Sequence, residues 1–325
     1  MTASGKLQME TLVKTAFVLG AGLGTRLQPL TSVRPKPLMP VFGKPLITFA
    51  LDHLRSIGVE NFVINTHHLP VQFYNFFREG EYAGCPVKLV HEPVLLETGG
   101  GIKNAEKWIG REPFIVYSGD ILTDIDLRML VEEHFRSKND VTLALRKTGL
   151  AAGIALREGR IVDIRSKYGH PGEYDFANVS VWNADIYQRI PEAQKISFVP
   201  VLLDWIGEGG RIGGVVLDER QWFNIGSRAE YLAVHRHIGG KSWKPDYVDV
   251  PDWPQQISPA ATIAPSARFG GVCSVGAGCA VGGGVLIEDS ILWPGAKIDA
   301  GTQLRGCIVA GSLFITGRHD NVDFT

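Results

Sequence analysis

The chain has 325 residues, with 33 Lys plus Arg against 34 Asp plus Glu, and 45% of it is hydrophobic. A balance this near neutral excludes a broad electrostatic grip on nucleic acid or an anionic membrane, and the apolar content excludes a mainly disordered chain. Glycine is the unusual number, with 38 residues or about 12%, against about 7% in ordinary proteins. No G-X-Y period runs through them, so a collagen helix is excluded too. The length suits two domains with sizeable cores.

Residues 1–13 read as a loose tail whose opening, MTASGKLQME, lacks the apolar core of a signal peptide. No run approaches 18 apolar residues, so no membrane span is expected. Cys85, Cys273, Cys279 and Cys307 show neither a CxxC pair nor zinc spacing, and read as buried or idle thiols. Together these point to a cytoplasmic protein in a reducing compartment.

Lys14–Leu19 (KTAFVL) is an apolar run bounded by a turn and predicts a buried strand. Pro45–Ile57 predicts an amphipathic helix opened by proline. Strands follow at Phe62–Thr66, Val87–His91, Pro113–Ser118 and Asp140–Arg146, with helices at Val71–Arg78, Gly101–Ile109 and Asp126–Ser137 between them. This alternation predicts a mostly parallel sheet wrapped by helices. Residues 153–183 read as short strands turning at Gly159-Arg160, and Ser197–Ile206 and Ser227–Ile238 as helices. Asp124 and Asp126 read as caps of the helix at 126. His67 and His68 read as loop residues, and Phe73, Tyr74, Phe76 and Phe77 as helix packing.

After residue 240 the character changes. Residues 241–256 are rich in Pro, Trp and Asp and predict a linker or ordered surface loop. Ile257, Ile263, Phe269, Val275, Val281 and Ile287 then recur every sixth residue. The phase slips near Ser290–Trp293 and resumes at Ile298 and Leu304. A six-residue period fits neither a helix nor an alternating strand. It fits a left-handed hexapeptide β-helix over 257–325, with small residues such as Gly270-Gly271 and Gly282-Gly283-Gly284 at its corners.

The first strand runs into Gly20-Ala21-Gly22-Leu23-Gly24-Thr25-Arg26-Leu27. A glycine loop after a strand exposes N–H groups that suit phosphate oxygens. It is not the dinucleotide fingerprint, which needs glycine at Thr25. Nor is Gly240-Lys241-Ser242 a Walker loop, since His235 stands where its first glycine belongs. Pro29-Leu30-Thr31 and Arg34-Pro35-Lys36-Pro37-Leu38 follow. Arg26 offers a fork for phosphate oxygens, and the prolines stiffen the segment that carries Lys36.

Gly22-Leu-Gly-Thr-Arg-Leu-x-Pro-Leu-Thr followed by Pro35-Lys36-Pro37-Leu38 resembles the sugar-1-phosphate nucleotidyltransferases, over roughly residues 14–238. The resemblance implies a Rossmann-like α/β domain at 14–240 with a mixed, mostly parallel sheet. It implies a reaction joining a sugar 1-phosphate to a nucleoside triphosphate with release of pyrophosphate. Ala21, Gly22, Gly24, Thr25 and Arg26 would then cradle the nucleotide, and Lys36 would meet phosphates at the reacting centre. Glu97-Thr98-Gly99-Gly100-Gly101 would lie as a loop against the nucleobase. Glu92 stands where several uridylyl and thymidylyl relatives carry a base-reading Gln, and could accept two N–H groups from guanine or be plain surface.

Ser118-Gly119-Asp120 resembles the family's Gly-Asp, and Asp120 would hold Mg²⁺, a hard ion that prefers oxygen. The second metal position departs from the pattern: the usual Asp-x-Gly is Asn224-Ile225-Gly226, an amide oxygen without charge. Lys167 resembles the lysine that meets the sugar phosphate. Asn178, in Phe176-Ala177-Asn178-Val179, stands where the family often has glycine, and could bond a sugar hydroxyl. The tail joined directly to this core resembles mannose-1-phosphate guanylyltransferases, and the Glu97–Gly101 run resembles N-acetylmuramate-1-phosphate uridylyltransferases; other hexose or heptose phosphates fit as well. Asn224 also fits a catalytically weak regulatory subunit. No His constellation in 257–325 supports acyl transfer. The tail is expected to pack on the catalytic domain or join subunits of a homo-oligomer.

Overall fold

The computed structural model describes residues 13–148, 152–241 and 243–325; the tail expected at 1–13 lies almost wholly outside them. The first part of the chain, the catalytic region of the sequence reading, is built on strands β1 (Thr15–Leu19), β2 (Pro40–Val41), β3 (Lys44–Pro45), β4 (Asn61–Thr66), β5 (Glu81–Tyr82), β6 (Cys85–His91), β7 (Phe114–Ser118), β8 (Ile121–Thr123), β9 (Val141–Arg146), β10 (Ile154–Arg157), β11 (Arg160–Ile164), β12 (Asp175–Trp182), β13 (Ile212–Val216) and β14 (Trp222–Asn224). Between them run helices α1 (Leu30–Val33), α2 (Leu46–Ser56), α3 (Pro70–Phe76), α4 (Glu97–Ile109), α5 (Leu127–Arg136), α6 (Phe198–Gly207) and α7 (Arg228–Lys241).

Ten strands form one sheet in the order β10-β11-β13-β9-β12-β7-β1-β4-β6-β5. β6, β4, β1 and β7 run parallel, β12 runs against β7 and β9, and β13 runs parallel to β9. The sheet is therefore mixed and mostly parallel, as expected. Successive residues of β1 feed opposite cores: Ala16 and Val18 pack with Ile47 and Ala50 of α2, and Phe17 packs with Ile102 and Ala105 of α4. A sheet buried on both faces explains why its central strands read as unbroken apolar runs.

Residues 243–256 carry no regular element, but Val248 and Trp253 are buried against α2 and the β2–β3 hairpin. From residue 257 the chain winds into three stacked sheets of four short parallel strands. Thr262 pairs with Ala280, Ala280 with Lys297 and Lys297 with Phe314, so successive coils take 18, 17 and 17 residues. The six-residue period is thus one face of a three-faced coil. Ile263, Val281, Ile298 and Ile315 stack in one column, and Val275, Leu292 and Val309 in another. The slip at Ser290–Trp293 is the missing residue of the first short coil.

Three local readings are corrected. Asp126 caps α5, accepting from Arg128 N at 2.9 Å and Met129 N at 3.1 Å, but Asp124 accepts instead from Gln221 N at 2.7 Å and caps nothing. Phe73 and Phe77 are buried, whereas Tyr74 and Phe76 stand exposed. Helix α4 begins at Glu97, four residues before the expected start, so the Thr-Gly-Gly-Gly run is its first turn rather than a loop.

Candidate active site

A cleft of about 490 Å³ opens at the carboxyl ends of β1 and β7, where open α/β sheets bind ligands. Its walls include Ala21, Gly22, Gly24, Thr25, Arg26, Lys36, Thr98 and Asp120. Eight of the residues singled out in the sequence therefore converge, drawn from four separate segments.

The glycine loop is pinned at both ends. The Gly20 N–H donates to Asn65 Oδ1 at 2.8 Å, and Thr31 Oγ1 donates to Gly24 O at 3.0 Å. Gly24 has φ 63, and a Cβ there would come within 2.8 Å of the Thr31 methyl. Glycine suits both demands, and the turn that follows carries Thr25 and Arg26. A Cβ on Gly226 would lie 2.7 Å from Arg26 Nη2, so the guanidinium rests on bare backbone. Arg26 is exposed and makes no ion pair among the described residues, which leaves its fork free for an anion.

Lys36 opens a short turn between Pro35 and Leu38 and is buried. Its Nζ donates to Asp120 Oδ2 at 2.6 Å, with the lysine side chain 8% exposed and the carboxylate 36%. This is the strong, charge-assisted kind of hydrogen bond. Gly119 sets the carboxylate there: its N–H donates to Leu19 O at 2.9 Å, and a Cβ would stand 2.8 Å from that oxygen. β8 then pairs with β14, which puts Asn224 opposite Ile121 and hence beside Asp120 in register.

Among the described residues no three His, Cys, Asp or Glu side chains gather around a metal position. The donors that the resemblance assigns to a metal are the Asp120 carboxylate, on the cleft wall, and the Asn224 amide, beside it in register. That set fits Mg²⁺, which takes one or two protein carboxylates and completes its shell with phosphate and water. It does not fit an all-protein metal cage.

Glu92 does not read a base here. It is fully buried, its Oε1 accepts from Asn65 Nδ2 at 2.8 Å, and its Oε2 accepts from Leu96 N at 2.9 Å. Asn65 thereby bridges Glu92 and the glycine loop. Gly99 and Gly100 do not face a base either. A Cβ on Gly100 would stand 2.3 Å from Gln194 O, and one on Gly99 would stand 2.9 Å from Ile196 O. The segment 194–198 crosses α4 on this bare backbone, held by Gly100 N to Ile196 O at 3.0 Å and Phe198 N to Thr98 Oγ1 at 3.2 Å. Gly101 makes room for the Glu92 carboxylate, 2.9 Å from where its Cβ would be.

Lys167 and Asn178 do not line this cleft. Lys167 is exposed on the turn after β11, organised by the buried Asp163, whose Oδ2 accepts from Tyr168 N at 2.8 Å and His170 N at 3.0 Å. Desolvation raises the Asp163 pKa, but the surrounding backbone N–H groups reverse this and hold it below the ordinary carboxylate value. Asn178 has φ 63 where β12 bulges against β9. A left-handed residue at this place accounts for the glycine the resemblance expected, and Asn tolerates it best among the other residues.

Sequence reasoning missed Asn65, Leu95 and Ser197, which also line the cleft together with Glu97 of the 97–101 run. Asn65 carried a usable signal: it is a polar residue near the carboxyl end of an apolar strand, FVINT. Ser197 had none, because it reaches the cleft only by the docking of 194–198 on α4. His67 and His68 sit between β4 and α3, bonded to Glu92 O and Thr31 O at 2.8 and 2.6 Å, away from the chemistry.

A mannose-1-phosphate guanylyltransferase from Mycobacterium tuberculosis is 31% identical over 234 residues, 69% of this chain and 64% of that protein. An N-acetylmuramate alpha-1-phosphate uridylyltransferase from Neisseria meningitidis is 44% identical over 112 residues, 34% of this chain and 48% of that protein. The chain thus spans about half to two thirds of these relatives. The fold matches the inositol-1-phosphate CTP transferase from T. maritima with a TM-score of 0.56 at 21% identity, over 67% of this chain and 91% of that one. Among the described residues no helix is long and apolar enough to cross a membrane. Residues 15–239 match the family described as nucleotidyl transferase, and with the glycine loop, Lys36 and Asp120 gathered at one sheet edge, the chain belongs to that family.

Proposed function

We propose that the chain transfers a nucleotidyl group from a nucleoside triphosphate to a sugar 1-phosphate and releases pyrophosphate, with GTP and mannose 1-phosphate as the leading pair. The observation that carries the reading is the Lys36–Asp120 contact beside the glycine loop. A sugar-phosphate oxygen attacks the α-phosphorus, its bond to phosphorus forms, and the bond to the pyrophosphate oxygen breaks. The attacking group is already an anion, so neither a base nor a covalent enzyme intermediate is needed. The protein's work is positioning and charge neutralisation.

In this reading the N–H groups of the 20–26 loop and the Arg26 fork hold the triphosphate. Lys36 stabilises charge on the reacting phosphates, and Asp120 fixes the Lys36 ammonium. Mg²⁺ on Asp120 and Asn224 would supply further neutralisation of phosphate charge. With Glu92 turned inward, base selection falls to Leu95, Thr98 and Ser197. Lys167, on the turn after β11, and Asn178, on β12, stay candidates for the sugar side.

Transfer of uridylate to N-acetylmuramate 1-phosphate is the second reading, favoured by the 44% identity of one segment to the Neisseria enzyme. A panel of five nucleoside triphosphates crossed with several sugar 1-phosphates, read as pyrophosphate with and without Mg²⁺, tests both. Release with no pair would leave the binding-only subunit that Asn224 suggests. A homo-oligomer in the cytoplasm completes the proposal, and light scattering checks the first part.

A further inference from the structure

One face of the β-helix is buried on both sides. Leu292 and Val309 point into the coil, while Ile291, Trp293, Ile308 and Ala310 pack outward. They join one apolar cluster with Leu27, Met39, Val41 and Ile225. Those four residues flank Arg26, Lys36 and Gly226, three cleft residues from three segments.

Polar contacts repeat the pattern. Trp293 Nε1 donates to Tyr231 Oη at 3.0 Å, and the Tyr231 hydroxyl donates to Pro40 O. Pro40 closes the short turn whose Leu38 and Met39 amides bond Pro35 O and Lys36 O at 2.9 and 3.1 Å. At the front of the same segment the Arg34 guanidinium lies 5.4 Å from the Trp293 ring centre. Arg228, two residues after Gly226, bonds Asp323 Oδ1 at 2.7 Å and Gly306 O at 2.6 Å. The β-helix therefore holds the Lys36 segment at both ends, and the Gly226 segment as well.

We infer that the β-helix is a positioning part of the active site: Trp293 and Tyr231 fix the backbone of residues 34–40 and so the place of the Lys36 ammonium against Asp120. This rests on the assignment of Lys36 made above. Both are positioning residues, since neither touches the cleft.

The test uses Trp293→Phe and Tyr231→Phe in the full chain: the first replaces the indole with a smaller ring and removes its bond to Tyr231, and the second keeps its ring and removes the bonds to both Pro40 O and Trp293. Trp293→Phe is expected to lower kcat about fivefold, the order of one hydrogen bond, and Tyr231→Phe by more because it loses two, with little change in KM for the nucleotide. Ile298→Val, inside the coil and away from the junction, should leave kcat unchanged. In a Lys36→Ala background Trp293→Phe should lower the rate no further, although its effect on the unfolding midpoint persists. Hydrogen exchange at the Leu38 and Met39 amides should quicken in both Phe variants while β1 and β7 keep their protection, a readout that needs no activity. An inactive wild-type chain with quickened exchange would refute the function and leave this inference standing. Unchanged exchange at 38 and 39, or an equal loss of rate in the Lys36→Ala background, would overturn it.

Discussion

The catalytic region and the β-helix both use glycine heavily, for different reasons. Residues 257–325 hold 12 of the 38, and eight of those twelve have positive φ. These are corners, where the chain turns in a way that side chains resist. In the two glycine runs of the catalytic region, Gly20, Gly22, Gly24 and Gly99–Gly101, only Gly24 has positive φ. Most of the others are clearances: the missing Cβ would strike Asn65 O at Gly20, Gln194 O at Gly100 or the Glu92 carboxylate at Gly101. The β-helix spends most of its glycine on conformation and the two runs spend theirs mostly on close approach, and mutations should separate the two.

The largest effect is expected at the reacting centre. Lys36→Ala and Asp120→Ala should each lower turnover by about two to three decades, as lost electrostatic donors do; pyrophosphate release at saturating substrate measures it, and near-normal turnover would remove these residues from the chemistry. Next is the β-helix core. Ile287→Ala, fully buried in the middle of the stack, should cost about 2–5 kcal/mol of stability, read by urea denaturation, with kcat at room temperature kept.

Within the glycines the contrast becomes sharper. Gly100→Ala should lose about 1–3 kcal/mol by overpacking against Gln194 and release the 194–198 segment, seen as faster proteolysis there. Gly22→Ala, with nothing near its Cβ position, should keep full stability and affect only nucleotide affinity. Equal costs at both positions would dissolve the distinction between clearance and open backbone.

The last effect shows only below neutral pH. Burial pushes His53 down to about 3 and His235 down to about 4, from an ordinary 6.5. The unfolded chain binds those protons near pH 6.5 and the folded chain does not, so stability is full above that value and falls as pH drops toward 4. Each ring contributes a slope of about 1.4 kcal/mol per pH unit inside that window. His53→Gln should flatten the denaturation midpoint against pH by one such slope, on top of a pH-independent loss from its contacts with Tyr117 and Tyr247.

What was legible in the sequence follows the same division. β1, expected at 14–19, is observed at 15–19, and the β-helix announced itself through residues at fixed intervals. Lys36, Arg26 and Asp120 were legible because short motifs carry their backbone context with them. The start of α4 was not, since a Gly-Gly-Gly run reads as a break until the 194–198 segment is known to cross it. Glu92 read as a base contact or plain surface because nothing local shows that Asn65, 27 residues earlier, and Leu96 N already occupy its oxygens. The phase slip at Ser290–Trp293 looked like noise in a repeat. It is the point where the coil gains a second buried face and meets the catalytic region.

That junction also sets a timetable. Pro40 is made early in synthesis, whereas Tyr231 and Trp293, which anchor it, emerge 191 and 253 residues later. Regions fold in the order in which they leave the ribosome. A nascent chain holding the whole ten-stranded sheet still lacks its last anchor on the Lys36 turn, so the site is completed only as the final quarter of the chain is made.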